Sequence, residues 1–245
     1  MQGNQGLSLA QAQQSFMTAC EEAGSINLAN NAGAAFMAAG IVNRLRGALS
    51  DAVMDDFFMP LMNTKVGFLT DKPGYDRKTG EVKPTYPINV VRDAIIDAAF
   101  MGLLPTGNQF NIIAERMYPT KEGFTALLKK IGCRYFISLT PLPDVSPTCA
   151  AVCCKISYEW QGEKNGFTIT ATVKKDGYSS MDLIKGKAER QAKKKLYEYL
   201  TGCDFGEADE DSSVPEDQTG THTAAVDAKK AEMRKTTASE APTLL

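Results

Sequence analysis

The sequence predicts an α+β fold: N-terminal helices, then a central antiparallel β-hairpin sheet packed by helices, a basic C-terminal helix and a disordered acidic tail. Three observations predict it. Helical residue patterns fill the first third of the chain, two adjoining runs within residues 150–174 are rich in β-branched and aromatic residues, and residues 204–245 have few apolar side chains. With 43% hydrophobic residues the chain can bury a core, which excludes a wholly disordered protein.

The N-terminal third predicts helices. Residues 7–23 are good helix formers that end before Gly24, and residues 31–48 are rich in alanine. Ser50 precedes an acidic turn and is a typical helix N-cap. The many small and apolar residues suit either close packing between helices or a contact between subunits.

The middle of the chain begins with a break in this pattern. Residues 70–87 hold three prolines and two glycines and predict an exposed hairpin or long loop. Pro87 then opens a helix at its first position, and the helix ends around Gly102. A strand is predicted over residues 109–115. The next predicted helix covers residues 119–131, and its apolar side contains Phe124, Leu127 and Leu128.

The clearest local unit is a β-hairpin. A strand over residues 134–139 precedes it, and its two arms are residues 150–160 and 166–174. Residues 185–200 then form a helix with one apolar side, and Gly202 ends it. A second face of this helix carries Lys187, Arg190, Lys194 and Tyr197.

The net charge of −2 hides a strong asymmetry along the chain. Residues 1–115 carry 8 basic and 11 acidic side chains, residues 116–200 carry 15 basic and 8 acidic, and residues 201–245 carry 4 basic and 10 acidic. A basic segment therefore lies between an acidic tail and a near-neutral start. The domains predicted are a helical region at residues 1–69, an α+β core at 70–203 and the tail at 204–245.

Several chemistries lack their residues in this sequence. The single histidine, His222, lies in the polar tail, which removes Ser-His-Asp, Cys-His and histidine-metal sites from the folded part. No phosphate-binding G-x-x-x-x-G-K-[ST] loop occurs. The six cysteines include no C-x-x-C pair, so we interpret them as reduced, small hydrophobic residues. We expect no catalytic residues, no metal and no cofactor.

The basic segment predicts binding to single-stranded nucleic acid. Lysine and arginine neutralise phosphates, and aromatic rings give unpaired bases a surface on which to stack. Residues 116–135 interleave both kinds of side chain, and further cations follow at residues 174–175 and 185–195. The predicted binding residues are Arg116, Tyr118, Lys121, Phe124, Lys129, Lys130, Arg134, Lys174, Lys175, Lys187, Arg190, Lys193, Lys194 and Lys195.

Residues 86–202 resemble the RecT/Redβ superfamily of phage single-strand DNA annealing proteins. The segment 102–105 (GLLP) matches the turn that ends a helix in that family. Residues 118–123 (YPTKEG) stand in for its Gly-Tyr-Lys-Gly-like segment, which opens a helix ending in basic residues, here Lys129 and Lys130. The run AERQAKKKLYEYLTG looks like the closing basic helix of the family.

The resemblance implies a phage-encoded protein that is not an enzyme and that anneals complementary strands without ATP in homologous recombination. It implies homo-oligomers, as rings or helical filaments, with the helical region at residues 1–69 serving oligomerisation. The implied partners are single-stranded DNA, its complementary strand, a 5′-to-3′ exonuclease and the host single-strand-binding protein. The start of the chain has no basic region followed by an apolar stretch, and no run of 18 apolar residues occurs. We therefore expect no membrane partner and the cytoplasm of a bacterial host.

Two other functions remain open from the residues alone. The first is an oligomeric assembly or interaction protein whose working parts are the N-terminal helices and the acidic tail. The second is a metal-dependent nuclease that uses Asp93 and Asp97, which lie one helical turn apart.

Overall fold

The computed structural model describes residues 8–25, 33–76, 79–177, 179–203 and 205. Apart from Phe205, the tail predicted to be disordered lies outside the described residues. The described part is α+β, as the sequence predicts, with helices α1 to α6, two three-stranded sheets, and α6 as its last helix. None of the described helices combines the length and apolar character needed to cross a membrane.

Local capping explains where the N-terminal helices begin. Helix α1 spans Leu9–Ala23 and starts with a capping box, in which the Ser8 hydroxyl accepts from the Gln11 backbone N–H and the Gln11 side chain accepts from the Ser8 N–H. Helix α2 spans Ala34–Ala48. The Ser50 hydroxyl caps the short α3, and a π-helical and a 3-10 turn complete this segment. These three elements span Asp51–Val53, Met54–Phe58 and Met59–Leu61.

The first sheet has the order β1-β2-β3. Its strands are Leu69–Thr70, Phe110–Ile113 and Arg116–Pro119. Strand β1 runs parallel to β2, and β3 runs antiparallel to it. Strand β3 is absent from the sequence predictions, since four residues ending in proline give little periodic signal. Ala114, which falls within the strand predicted over residues 109–115, instead lies exposed in the turn to β3 with a φ of 49°.

The turn between β2 and β3 is fixed by a buried tyrosine. The Tyr86 hydroxyl donates to Asp71 Oδ1 at 2.7 Å and accepts from the Glu115 N–H at 3.1 Å. The other oxygen of Asp71 accepts from the Ala114 N–H at 3.1 Å. The segment predicted as a loop over residues 70–87 is therefore anchored to the sheet at both of its ends, and it contains one isolated antiparallel bridge between Tyr75 and Val82.

The N-terminal helices share one core with the first sheet. Helix α4, Ile88–Phe100, follows the cap residue Pro87 and buries side chains against α1, α2 and β2. Helix α5, Lys121–Lys130, contributes Phe124 and Leu127 to the same core. The predicted boundary between residues 69 and 70 falls within β1, whose two residues both pair with β2.

The second sheet is an antiparallel meander of long strands in the order β4-β5-β6. The strands are Arg134–Ser146, Cys149–Trp160 and Glu163–Lys174. Gln161 and Gly162 join β5 to β6 with φ values of 52° and 84°, which suits the right-handed twist of a two-residue hairpin. This confirms the predicted hairpin, with a shorter turn than the five residues expected between its arms.

Helix α6, Met181–Thr201, covers one side of the second sheet and forms a second core with it. Its residues Ile184, Ala188, Ala192 and Leu196 are buried there. Gly202 ends the helix with a φ of 71°, as predicted. Two of the six cysteines, Cys133 and Cys154, are buried in this core, and burial raises the pKa of both thiols.

Candidate nucleic-acid interface

The second sheet has one covered and one uncovered side. Side chains alternate between the two sides along each strand. The side that carries Tyr158, Ile156 and Val152 packs against α6. The opposite side, which we call the open face, is covered by none of the described elements. The open face is formed by Arg134, Phe136, Ser138, Thr140 and Leu142 of β4, Cys149, Ala151, Cys153, Lys155, Ser157 and Glu159 of β5, and Lys164, Gly166, Thr168, Thr170, Thr172 and Lys174 of β6.

The open face carries four cations and one carboxylate. Arg134, Glu159 and Lys164 occupy one row across the three strands. Lys155 lies in the middle of the sheet between Ser138 and Thr168, and Lys174 lies at the far end. Within the described residues, Arg134, Lys155 and Lys164 form no ion pair. The positive charge of these three side chains therefore remains available to a ligand.

An exposed aromatic ring lies among these cations. Phe136 is 70% exposed and stands two residues from Arg134 on the same strand. Phe136 is paired across the sheet with Ser157, which is paired in turn with Gly166. These two small residues leave the ring of Phe136 open. A Cβ at Gly166 would come within 2.6 Å of the Ile156 carbonyl oxygen, so this position requires glycine. The open face thus offers a stacking surface next to phosphate-binding groups.

The lysines of α6 point to a different role. Lys193 is 6% exposed, and its Nζ lies 2.6 Å from Glu189 Oε1 and 3.0 Å from Thr125 Oγ1. The same ammonium lies 5.7 Å from the centre of the Tyr135 ring. These contacts tie α6 to α5 and β4. Lys193 is therefore occupied inside the protein rather than presented to a ligand.

Other predicted residues of α5 and α6 are also engaged within the chain. Lys121 Nζ lies 3.8 Å from Glu122 and 3.9 Å from Glu189, and Arg190 Nε donates to the Pro119 carbonyl at 3.0 Å. Lys194, 8% exposed, lies 3.9 Å from Glu198, and Lys195 lies 3.0 Å from the same carboxylate. Carboxylates therefore lie beside Lys121, Lys193, Lys194 and Lys195, and a backbone carbonyl lies beside Arg190.

The predicted aromatic residues are not brought to the open face. Phe124 is 1% exposed and meets Phe205 edge-on at 5.6 Å between ring centres, as its place on the apolar side of α5 predicts. Its ring is therefore withdrawn from base stacking. Tyr118 is half-buried on β3 against Leu69 and Ile113.

The remaining predicted residues lie on different elements. Lys129 and Lys130 are exposed at the end of α5, and Lys130 Nζ lies beside Gly24 and Gly102, at the ends of α1 and α4. Lys175 pairs with Asp144 beside the far end, next to Lys174. Arg116 is exposed on β3 and Lys187 is half-buried on α6, and neither belongs to the open face.

Sequence reasoning missed three residues of the open face: Phe136, Lys155 and Lys164. The alternation in β4, where Tyr135, Ile137 and Leu139 face the core, marks Phe136 as sharing the outward side with Arg134 and Ser138. The hairpin turn fixes which residues of β5 and β6 join that side. The signal was therefore present in the strand pattern rather than in the density of charge.

The paired carboxylates considered for a nuclease are arranged as a helix surface. Asp93 Oδ1 lies 3.2 Å from Arg46. Burial, followed by repulsion from Asp93, raises the pKa of Asp97. Among the residues that the structure describes, no three potential metal ligands come together.

Comparison with known proteins found no match to a family model, a curated protein or a solved structure.

Proposed function

We propose that this protein binds single-stranded DNA on the open face and anneals complementary strands without ATP, as a non-enzymatic recombination protein of a phage acting in the bacterial cytoplasm. One observation carries the proposal. An uncovered sheet face presents an exposed aromatic ring together with three cations, Arg134, Lys155 and Lys164, that form no ion pair among the described residues. Cations that follow a backbone combined with stacking surfaces are what binding of a single strand without sequence preference requires.

The dimensions and chemistry of the open face suit an extended strand. Lys164 and Lys174 are ten residues apart on β6, a distance of roughly 30 Å along a β-strand. Between them the surface is lined by small hydroxyl side chains of Ser138, Thr168 and Thr170. Such side chains donate to phosphate oxygens without enforcing a base sequence. A strand held by its backbone keeps base edges free for a complementary strand.

The resemblance to RecT/Redβ annealing proteins adds the remaining parts of the proposal. By that resemblance, copies of the protein assemble into rings or helical filaments, and an exonuclease and a host single-strand-binding protein act beside it. The charge asymmetry of the chain supports the DNA-binding part, since the basic segment supplies all the cations of the open face.

The direct test is binding and annealing by the full chain. Anisotropy of a fluorescent oligothymidine measures affinity over a salt series, and a quenched pair of complementary oligonucleotides reports annealing in the presence of EDTA and without ATP. We expect the logarithm of the binding constant to fall linearly with the logarithm of salt concentration, and annealing to exceed the spontaneous rate. Absence of binding at low salt would overturn the proposal, and cleavage of the strand on addition of magnesium would favour a nuclease.

A further inference from the structure

The outer edge of β6 has no strand beside it among the described residues, and its Thr172 carbonyl accepts from Gln191 of α6. In the order β4-β5-β6, β6 has a neighbour on one side. Pro141 is opposite Val152 and has no N–H, so this pair is not hydrogen-bonded and the backbone of Val152 faces β6, opposite Ala171. The backbone groups on either side of Ala171, at Thr170 and Thr172, therefore point away from the sheet.

A side-chain contact agrees with this assignment. Gln191 Nε2 of α6 donates to the Thr172 carbonyl at 3.0 Å, a group that would be engaged with β5 if it pointed inward. By alternation, the outward set on β6 is Lys164, Gly166, Thr168, Thr170 and Thr172.

Two features that protect strand edges, proline and a break in register, are absent from β6, although the strand carries Lys164 and Lys174 and Gln191 of α6 reaches its Thr172 carbonyl. Strand β6 contains no proline, and its register with β5 is unbroken over its 12 residues. The opposite edge differs, because β4 contains Pro141 and Pro143 and its register shifts between Leu142 and Ser146. Helix α5 also lies beside β4, where the Tyr135 hydroxyl is 3.3 Å from Thr125 Oγ1. The open edge of this sheet is therefore that of β6.

Apolar side chains accompany the free edge. Phe167 and Ile169 of β6 lie on the side of α6 and are only partly buried by it. An added strand about 4.8 Å away would cover both while pairing the outward backbone groups. On the open face, the edge shows small threonine side chains that leave room for such a neighbour.

We propose that the β6 edge pairs antiparallel with the β6 edge of a second copy of this chain, about a two-fold axis at Thr168. The edge is self-complementary in this arrangement: Thr168 faces its own counterpart, Gly166 faces Thr170, and Lys164 faces Thr172. No two charges are directly opposed. Phe167 and Ile169 of each copy come together across the new pair. The inference rests on the self-association included in the proposed function.

The consequence is a six-stranded sheet with one continuous open face. The cations of the two copies then lie on a single surface, which lets one strand of DNA pass from one copy to the next.

The test is Thr170→Pro, with Thr170→Val as the matched control. The Thr170 N–H points away from β5, so proline removes an edge donor and leaves the ladder between β5 and β6 intact. Light scattering after gel filtration measures the mass, and thermal melting measures stability. We expect the wild type and Thr170→Val to contain an even number of copies, and Thr170→Pro to fall to a smaller mass while it still unfolds in a cooperative transition. A monomeric wild type, or an unchanged mass for Thr170→Pro, would overturn the inference.

Two single cysteine variants test the edge pairing independently, in case Thr170→Pro does not fold. Directly opposed residues in an antiparallel pair have Cα atoms about 4.5–5.5 Å apart, within the range of a disulfide. We expect Thr168→Cys to form an oxidised dimer linked through the introduced thiols, identified by peptide mass spectrometry, and Thr172→Cys to form none. Absence of the first linkage overturns the inference.

The failure of this inference and that of the proposed function are distinguishable. A wild type that binds DNA while Thr170→Pro keeps its mass rejects the edge pairing alone. A wild type that dimerises through Thr168 and does not bind DNA rejects the proposed function alone.

Discussion

Phe136 is the side chain on which the proposed base stacking depends. It is 70% exposed beside Arg134 and contributes little to the core. We expect Phe136→Ala to weaken oligothymidine binding about 5- to 150-fold, which corresponds to roughly 1–3 kcal/mol per stacked base. The free energy of unfolding should not change. Phe36→Ala is the matched control, because Phe36 is 84% exposed on α2, away from the second sheet. Equal affinities for the two variants would show that no base stacks on Phe136.

Tyr86 is a residue whose role is stability rather than binding. Its hydroxyl joins Asp71 to the turn at Glu115, and Tyr86→Phe removes both hydrogen bonds. We expect the free energy of unfolding, measured in urea at neutral pH, to fall by about 1–3 kcal/mol. DNA affinity at the same pH should stay at the wild-type value, and a loss of affinity without a loss of stability would contradict this assignment.

The loss of stability caused by Tyr86→Phe depends on pH. Burial, and then the hydrogen bond to Asp71, raise the pKa of the Tyr86 hydroxyl above its ordinary value. The folded state therefore favours the neutral phenol, and its stabilising contribution is complete below about pH 10, the pKa of an unfolded tyrosine, and declines as pH rises further. The difference in free energy of unfolding between wild type and Tyr86→Phe should shrink above that pH. A difference that grows above that pH would show that the folded state does not favour the neutral phenol.

Helix α6 illustrates how a basic element can serve the fold. Lys193 meets Glu189, Thr125 and the Tyr135 ring, and it joins three elements. We expect Lys193→Met to lower the free energy of unfolding by about 1.5–3 kcal/mol, as loss of a hydrogen bond to a charged group does. The salt dependence of DNA binding should be unchanged. Lys195→Met is the control, since that lysine is 59% exposed and its loss should leave stability intact. A stable Lys193→Met variant with reduced salt dependence would place DNA on α6.

The elements that the sequence predicts best are those with a strong period. Strand pattern identifies the hairpin of β5 and β6, a run of good helix formers identifies α1, and the capping residue Ser50 identifies α3. Strand β3 has no such pattern, and it forms because β2 offers an edge beside it. The requirement for Gly123 is equally invisible in the sequence, since a Cβ there would lie 2.0 Å from the Gln109 carbonyl oxygen, a contact made only after folding.

At the scale of the whole molecule, the sequence predicts the basic segment but not the distribution of its charge. A helical period shows that Glu189 and Glu198 lie three or four residues from lysines of α6, but it does not show that α5 covers Lys193. The open face brings together residues that are far apart in the sequence and adjacent across the three strands. Its cations become a group only once the meander is formed.

The two sheets differ in how they are covered. The first sheet, with α1, α2, α4 and part of α5, forms a core shared by the N-terminal half of the chain. The second sheet is covered by α6 on one side and exposed on the other. A protein with this arrangement can present a flat polar surface without losing a core, because α6 supplies the apolar cover that the sheet requires.

The salt dependence of oligothymidine binding shows which surface of the protein holds the DNA. The triple variant Arg134→Gln, Lys155→Gln, Lys164→Gln removes three cations of the open face, and the slope of log binding constant against log salt should become shallower by about 2, at roughly 0.7 per phosphate contact for a single strand. The matched variant Lys185→Gln, Lys187→Gln, Lys195→Gln removes the same charge from α6 and should keep the wild-type slope. An unchanged slope in the first variant together with a shallower slope in the second would contradict the account and move the DNA to α6.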